Sequence, residues 1–258
     1  MEEIVPHFSV LLLIIVRVST FFITMPLFSH RAIPAMHRIG LAVLLAWMMY
    51  YTMDVGPLEI DGRYFLLILK EALVGLLIGL SAYMMVAAIQ IAGGLIDFQM
   101  GFAIANVIDP QSGTQSPLMG QYLYMFALLL LLALNGHHLM LDGIFYSYQY
   151  VPIDQLSLHF DSGSLAGYMS RAFSSMFLIA FQMSMPVVAT LFLVDVALGI
   201  VARTVPQLNI FVVGFPVKIG VAFIVMTVVI GLMFTVIQKL FELMLYTMRD
   251  VMSLLGGA

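Results

Sequence analysis

Cysteine is absent from the 258 residues, and charge is scarce: Asp, Glu, Lys and Arg together make up 9% of the chain. The first absence excludes a disulfide scaffold, a thiol nucleophile and a cysteine-based metal site, while leaving open which side of a membrane any loop occupies. The second excludes an ordinary soluble domain, in which about a quarter of residues are charged. Clustered basic residues are missing too. The ten Lys and Arg stand singly, and the formal net charge is −4, so nucleic acid is not an expected partner. The chain opens Met1-Glu2-Glu3, acidic where a cleavable secretory signal is basic, and the first apolar run is therefore expected to be retained.

What is present is apolar sequence. Hydrophobic residues make up 62% of the chain and the mean hydropathy is +1.07, more than a soluble fold can bury. The runs follow one another so closely that a single all-α polytopic membrane domain, 1–258, is expected. A bilayer core needs about 20 apolar residues in a helix. Phe8 to Phe28 fits one span with Arg17 inside it, and Ile39 to Met53 is short. Tyr64 to Ala92 is long and is expected to stop at Gly93-Gly94, followed by a stub from Leu95 to Val107. Leu118 to Leu134 is almost purely apolar. Ala166 to Arg203 is overlong, and Pro186 within it, lacking an N–H, predicts a kink or a division. Lys218 to about Leu255 is also overlong and ends amphipathically, with Lys239, Glu242, Arg249 and Asp250 among apolar residues. No fixed-period repeat or low-complexity tract is seen.

Polar connections are predicted at His30 to Arg38, Asp54 to Arg63, Asn106 to Pro117, Asn135 to Gly163 and Thr204 to Pro216. Arg31 and Arg38 mark the first as cytoplasmic, and Arg203 with Lys218 mark the last. Six crossings with both termini outside is the expectation. Asn106 to Pro117 lies between the stub and a full apolar helix. Polar irregular backbone at membrane depth is tolerated only inside protein or beside water, so this stretch is either an exterior loop or a re-entrant one lining a conduit.

Residues able to carry chemistry are few. His137 and His138 with Asp142 could suggest a metal site, but neighbouring side chains diverge by about 100° on a helix, and the H-E-x-x-H pattern is missing. Gly163 to Gly167 has the wrong spacing for a nucleophile elbow. No catalytic residue, metal site or cofactor is expected. Charges inside the apolar runs are more informative, because each costs a few kcal/mol unless paired, hydrated or buried in protein. Arg17, Lys70, Glu71, Asp97, Arg171 and Asp195 all require an explanation. Lys70 is near enough to its helix start to snorkel, and Arg203 suits a helix C-terminus. Arg17, Asp97, Gln99, Arg171 and Asp195 are expected to pack against protein. Gly75 and Gly79 form a small-x-x-x-small pair that permits close helix approach. The 21 Met residues suit either adaptable packing or a deformable collar around a moving chain.

Three stretches resemble the FliR family of flagellar biosynthesis and type III secretion export-gate proteins. The sharpest runs from Arg203 through Pro206, Gln207, Asn209, Phe211, Gly214, Phe215 and Pro216 to Lys218. A second comprises Gly93, Gly94, Ile96, Asp97, Gln99, Gly101 and Phe102, leading to Asp109, Pro110 and Gly113. The third, looser, places Arg17, Pro26, Pro34 and Arg38 before Leu41-Ala42. The resemblance implies a non-enzymatic subunit of bent helical hairpins in a hetro-oligomeric helical gate in the bacterial inner membrane, at the flagellar basal body. Its implied partners are FliP-like and FliQ-like subunits, an FlhB-like switch protein, an FlhA-like export protein and unfolded flagellar substrates. It further implies that residues about 1–165 form the N-terminal helices and about 187–255 a FliQ-like hairpin. A plug would lie at Asn106, Asp109, Pro110, Gln111, Ser112, Gly113, Thr114, Gln115, Ser116 and Pro117, with Phe102 and Ile104 helping to seal. The Arg203 to Lys218 turn would contact the switch protein.

Two other readings compete. A secondary transporter would explain the charges and interrupted helices but predicts two related halves, which the sequence does not display. An intramembrane enzyme rests on His137, His138 and Asp142 alone. Replacing both histidines by Ala is expected to leave protein export largely intact in a secretion assay; an all-or-none, metal-dependent loss would revive the enzyme reading.

Overall fold

The computed structural model describes residues 4–30, 33–53, 56, 58–102, 117–158, 164–207 and 209–257. Regular structure among the described residues is helical throughout: α1 (Ile4–Thr24), α2 (Ala35–Thr52), α3 (Gly62–Met100), α4 (Leu118–Ala133), α5 (Gly136–Tyr150), α6 (Ser164–Thr204) and α7 (Ile210–Gly256). Helices satisfy most backbone polar groups within themselves, as hydrocarbon requires.

Several boundaries differ from the expected ones. Gly93-Gly94 does not stop α3, which runs unbroken for 39 residues, because the backbone of Gly120 packs where a side chain on Gly93 would be. Gly93 thus serves close approach rather than termination. Pro186 sits inside a continuous α6 of 41 residues. α7 begins at Ile210 and contains Pro216, so Phe211, Gly214, Phe215 and Pro216 belong to a helix and only 205–209 connect α6 to α7. Most of the expected loop from Asn135 to Gly163 is α5. Its His, Asp, Gln and Tyr residues hide a helical stripe of Met140, Ile144, Ser147 and Tyr148 that is buried. The helices α3, α6 and α7 are each long and apolar enough to cross a membrane, and α4 and α5, bent by 73°, meet the same test only as a pair. Among the described residues three such helices, or four with the bent pair, stand against the six crossings expected, and the helices of the first two apolar runs, α1 and α2, are not among them. The bend between α4 and α5 is made at Asn135, whose φ of 56° lies in the left-handed region that Asn tolerates better than most residues.

The chain forms two compact units. The first comprises Met1–Met85, Leu131–Phe173 and Glu242–Ala258. Its core is drawn from Leu13, Ile14, Val18 and Phe21 of α1, Ala42 and Ala46 of α2, Val74, Ile78 and Ala82 of α3, and Met244, Met248 and Val251 of α7. Apart from the neighbours Leu13 and Ile14, spacings of three and four put each set on one helix face. The second comprises Val86–Leu130 and Ser174–Phe241, with Ile89, Ala92, Ile96 and Met100 of α3, Ala180, Met183, Val187 and Leu191 of α6, and Met226, Met233 and Ile237 of α7 buried. Twelve of the 21 methionines are buried, so for those the packing reading holds.

Within the first unit, Gly75 and Gly79 let α3 approach α1. A Cβ on Gly75 would meet the Thr20 hydroxyl and the Arg17 carbonyl, and one on Gly79 the Thr24 hydroxyl and the Phe21 carbonyl. In contrast, apolar side chains of α6 face outward: Phe173, Phe177, Phe181 and Met185, each four residues after the last, are 41–55% exposed. Only 11% of the most apolar window of α6 is buried, against 56% for α3.

Alanine is a better helix former than glycine by roughly 1 kcal/mol, yet Gly75→Ala is expected to lower the Tm of the purified protein in detergent. Overpacking of this kind costs about 1–3 kcal/mol. Gly167→Ala, whose added Cβ meets nothing within 4 Å, should leave Tm unchanged or raise it; equal effects at the two positions would refute the close α1–α3 contact.

Candidate functional site

In the first unit the charges gather around Arg17, which is fully buried on α1. Its Nε donates to Glu71 Oε2 at 2.5 Å and its Nη2 to Glu71 Oε1 at 2.9 Å, a forked pairing that suits the planar guanidinium. Nη1 donates to Ser147 Oγ at 3.0 Å, and Nη2 also to the Val151 carbonyl at 2.8 Å. The guanidinium carbon lies 3.9 Å from the centre of the Tyr148 ring, within cation–π range. Lys70 completes the cluster, 2.5 Å from Glu71 Oε1 and donating to the carbonyls of Pro152 at 2.7 Å and Ile153 at 3.2 Å. It does not snorkel; it is 3% exposed, because α5 ends directly beside it. Two cations share one carboxylate, and the imbalance is met by three successive carbonyls just past the C-terminus of α5, the negative end of that helix.

In the second unit a smaller cluster joins three helices. Asp195 of α6 pairs with Lys218 of α7 at 2.5 Å and accepts from Gln99 Nε2 of α3 at 2.9 Å. Lys218 also donates to the Gln99 carbonyl at 3.4 Å. Nearby, the rings of Phe102 and Phe215 meet edge-on at 6.0 Å, against Gly101, whose φ of 91° ends α3. Asp97 is 4% exposed and accepts the backbone N–H of Met119 at 2.9 Å.

These clusters collect Arg17, Asp97, Gln99 and Asp195 from the five residues expected to pack against protein. Arg171, the fifth, is instead exposed on the surface of this chain. The residues of the expected partner-contact turn separate into two groups. Arg203, in the last turn of α6, Pro206, Gln207 and Asn209 are exposed, with Asn209 capping α7 by accepting from Val212 N. Gly214 is buried, while Phe215 and Lys218 are engaged within the second unit. The side chain of Phe211 lies outside the described residues. So do Ile104, Asn106, Asp109, Pro110, Gln111, Ser112, Gly113, Thr114, Gln115 and Ser116; Phe102 and Pro117 flank them. Ser147 and Tyr148 were not anticipated, since nothing in an apparent polar loop distinguishes them until α5 is seen. The His137 and His138 rings do not diverge but lie 4.1 Å apart, at the first turn of α5 where no preceding turn of that helix crowds them. No third His, Asp or Glu joins them among the described residues.

Arg17, Lys70, Glu71, Asp195 and Lys218 are each matched by an opposite charge and Asp97 by a backbone N–H, an arrangement that orders helices rather than activating a nucleophile. The architecture is that of an all-α polytopic membrane protein. A profile of the bacterial export proteins, family 1, matches residues 8–244. The flagellar biosynthetic protein FliR of Bacillus subtilis (strain 168) is 57% identical over 257 residues, covering 99% of both chains. FliR of Pectobacterium carotovorum subsp. carotovorum is 31% identical over 94% of this chain and 92% of its own; FliR of Escherichia coli (strain K12) is 28% identical over 93% and 91%. The chain belongs to the FliR family of bacterial export proteins, membrane-bound components of flagellar biosynthesis.

Removing the shared carboxylate by Glu71→Ala leaves two buried cations unmatched, which costs about 3–5 kcal/mol. The variant is expected to lose most of its folded population, read as protease sensitivity in membranes. Arg17→Met combined with Glu71→Leu removes the principal ion pair and should be less harmful than Glu71→Ala alone; the reverse order would contradict the charge-matching account.

Proposed function

We propose that this chain is a non-enzymatic core subunit of the flagellar protein export gate in the bacterial inner membrane, at the base of the flagellum. It forms, with FliP-like and FliQ-like subunits, the channel through which unfolded flagellar proteins leave the cell, and it closes that channel with residues 106–117. An FlhB-like switch protein contacts the exposed turn at Arg203, Pro206, Gln207 and Asn209, and an FlhA-like export protein is a further partner. Residues about 1–165 supply the N-terminal helices with the closing segment, and about 187–255 the FliQ-like hairpin, within one membrane-embedded subunit spanning 1–258.

The observation that carries this reading is the similarity to flagellar biosynthetic proteins over 99% of the chain. Two features of the structure support it. The apolar outward faces of α6 and α7 suit burial among partner helices, where length need not match a bilayer. The flanks of the proposed closing segment are also held, Phe102 against Phe215 and Pro117 beside Gly94 and Gly120.

Because the chain has no Cys, single cysteines are clean probes. Gly113→Cys is expected to crosslink to an export substrate stalled in transit, and the subunit to co-purify with other small helical membrane proteins. Labelling by external reagents only, with no substrate adduct, would refute the closing role; a functional monomer would refute the gate itself.

A further inference from the structure

Asp97 stands three residues before the end of α3 and holds two chain segments at once. Its backbone carbonyl accepts the N–H of Phe102 at 3.0 Å, while Gly101 N reaches the Phe98 carbonyl at 3.2 Å and Gly101 is left-handed at φ 91°. This is the paired hydrogen-bond closure of a helix C-terminus by glycine. Its side-chain Oδ2 accepts from Met119 N at 2.9 Å, in the first turn of α4, where amides have no partner inside their own helix and Pro117 contributes none. One residue therefore closes the helix that precedes Phe102 and caps the helix that follows Pro117.

The approach depends on Gly93, one turn earlier on the same face of α3, since a Cβ there would run into the backbone of Gly120. The cap is also enclosed. Asp97 is 4% exposed, and its second carboxylate oxygen, Oδ1, is buried without a partner among the described residues. A buried carboxylate is costly unless its charge is met, and here the positive N-terminal end of α4 meets it. Chain length alone would let residues 102 and 117 stand up to about 50 Å apart, whereas the contacts of Asp97 with Met119 and of Gly93 with Gly120 hold α3 and α4 together.

We propose that Asp97 is a positioning residue that fixes the separation of Phe102 and Pro117, and through it the seating of the segment that closes the channel. The second half rests on the closing role proposed above.

The two halves are tested separately on the full chain in its membrane complex. Spin labels on Phe98→Cys and Leu118→Cys, exposed positions on either side of the clasp, report the distance between the ends of α3 and α4. The distribution is expected to be narrow with Asp97 and with Asp97→Asn, whose side-chain oxygen still accepts from Met119, and broad with Asp97→Ala. A narrow distribution in Asp97→Ala, or a broad one in Asp97→Asn, overturns the proposal. In parallel, Asp97→Ala should raise ion leak through the resting complex about five- to tenfold, the usual worth of one helix cap, at unchanged abundance, with Asp97→Asn restoring the barrier. A broad distribution without leak upholds the clasp and overturns the closing role instead. If Asp97→Ala does not accumulate, Asp97→Glu, one methylene longer, should shift the modal distance; an unshifted distance overturns the clasp.

Discussion

The constraint that organises this protein is that a charge placed in an apolar helix has to be matched by protein. Arg17 has no water to turn to, and its position therefore fixes what surrounds it: a carboxylate on α3, a hydroxyl and an aromatic face on α5, and a carbonyl just beyond. Hydrophobic packing is tolerant of small slides along a helix, because one apolar neighbour serves about as well as another. A forked guanidinium–carboxylate pair is not. Moving α3 by one turn relative to α1 would strand Arg17 and Glu71 together. The ion pair is thus better regarded as setting register than as adding stability, since burying two charges returns little net free energy.

The second unit applies the same rule with fewer charges. Asp195 answers Lys218, and Gln99 fills the remaining carboxylate valence with a neutral donor. Here the partners are partly exposed, so water and salt weaken the pair. The clusters differ accordingly: around Arg17 the helices have one permissible arrangement, whereas around Asp195 the polar contacts are looser.

Composition and hydropathy are enough to read the all-α class, and they single out the intramembrane charges; Arg17, Asp97 and Asp195 meet protein within this chain, whereas Arg171, as deep in apolar sequence, is exposed on its surface. The identity of those partners was not legible, because Glu71 lies 54 positions from Arg17 and Ser147 lies 130 away. Reading each charge alone made Lys70 a snorkelling residue, when a carboxylate beside it and the end of α5 draw it inward. Helix ends failed for a related reason. A glycine such as Gly93 acts as a breaker in water but as a contact point where another backbone presses against it, and α5 is too polar to advertise itself as a helix until its buried face is seen. The Arg203 to Lys218 motif was recognised whole, yet its members do different work: Asn209 starts a helix, Phe215 meets an aromatic ring, and Lys218 answers a carboxylate.

The phenylalanine stripe on α6 has a consequence for the life of the molecule before assembly. Phe173, Phe177 and Phe181 leave the ribosome on a helix with little inside the chain to cover them. A newly made copy must find lipid or companion helices quickly, or else be recognised by the proteases that clear orphaned membrane proteins. On the export-gate reading proposed above, the stock of usable copies would follow the supply of companion subunits rather than the output of this chain alone.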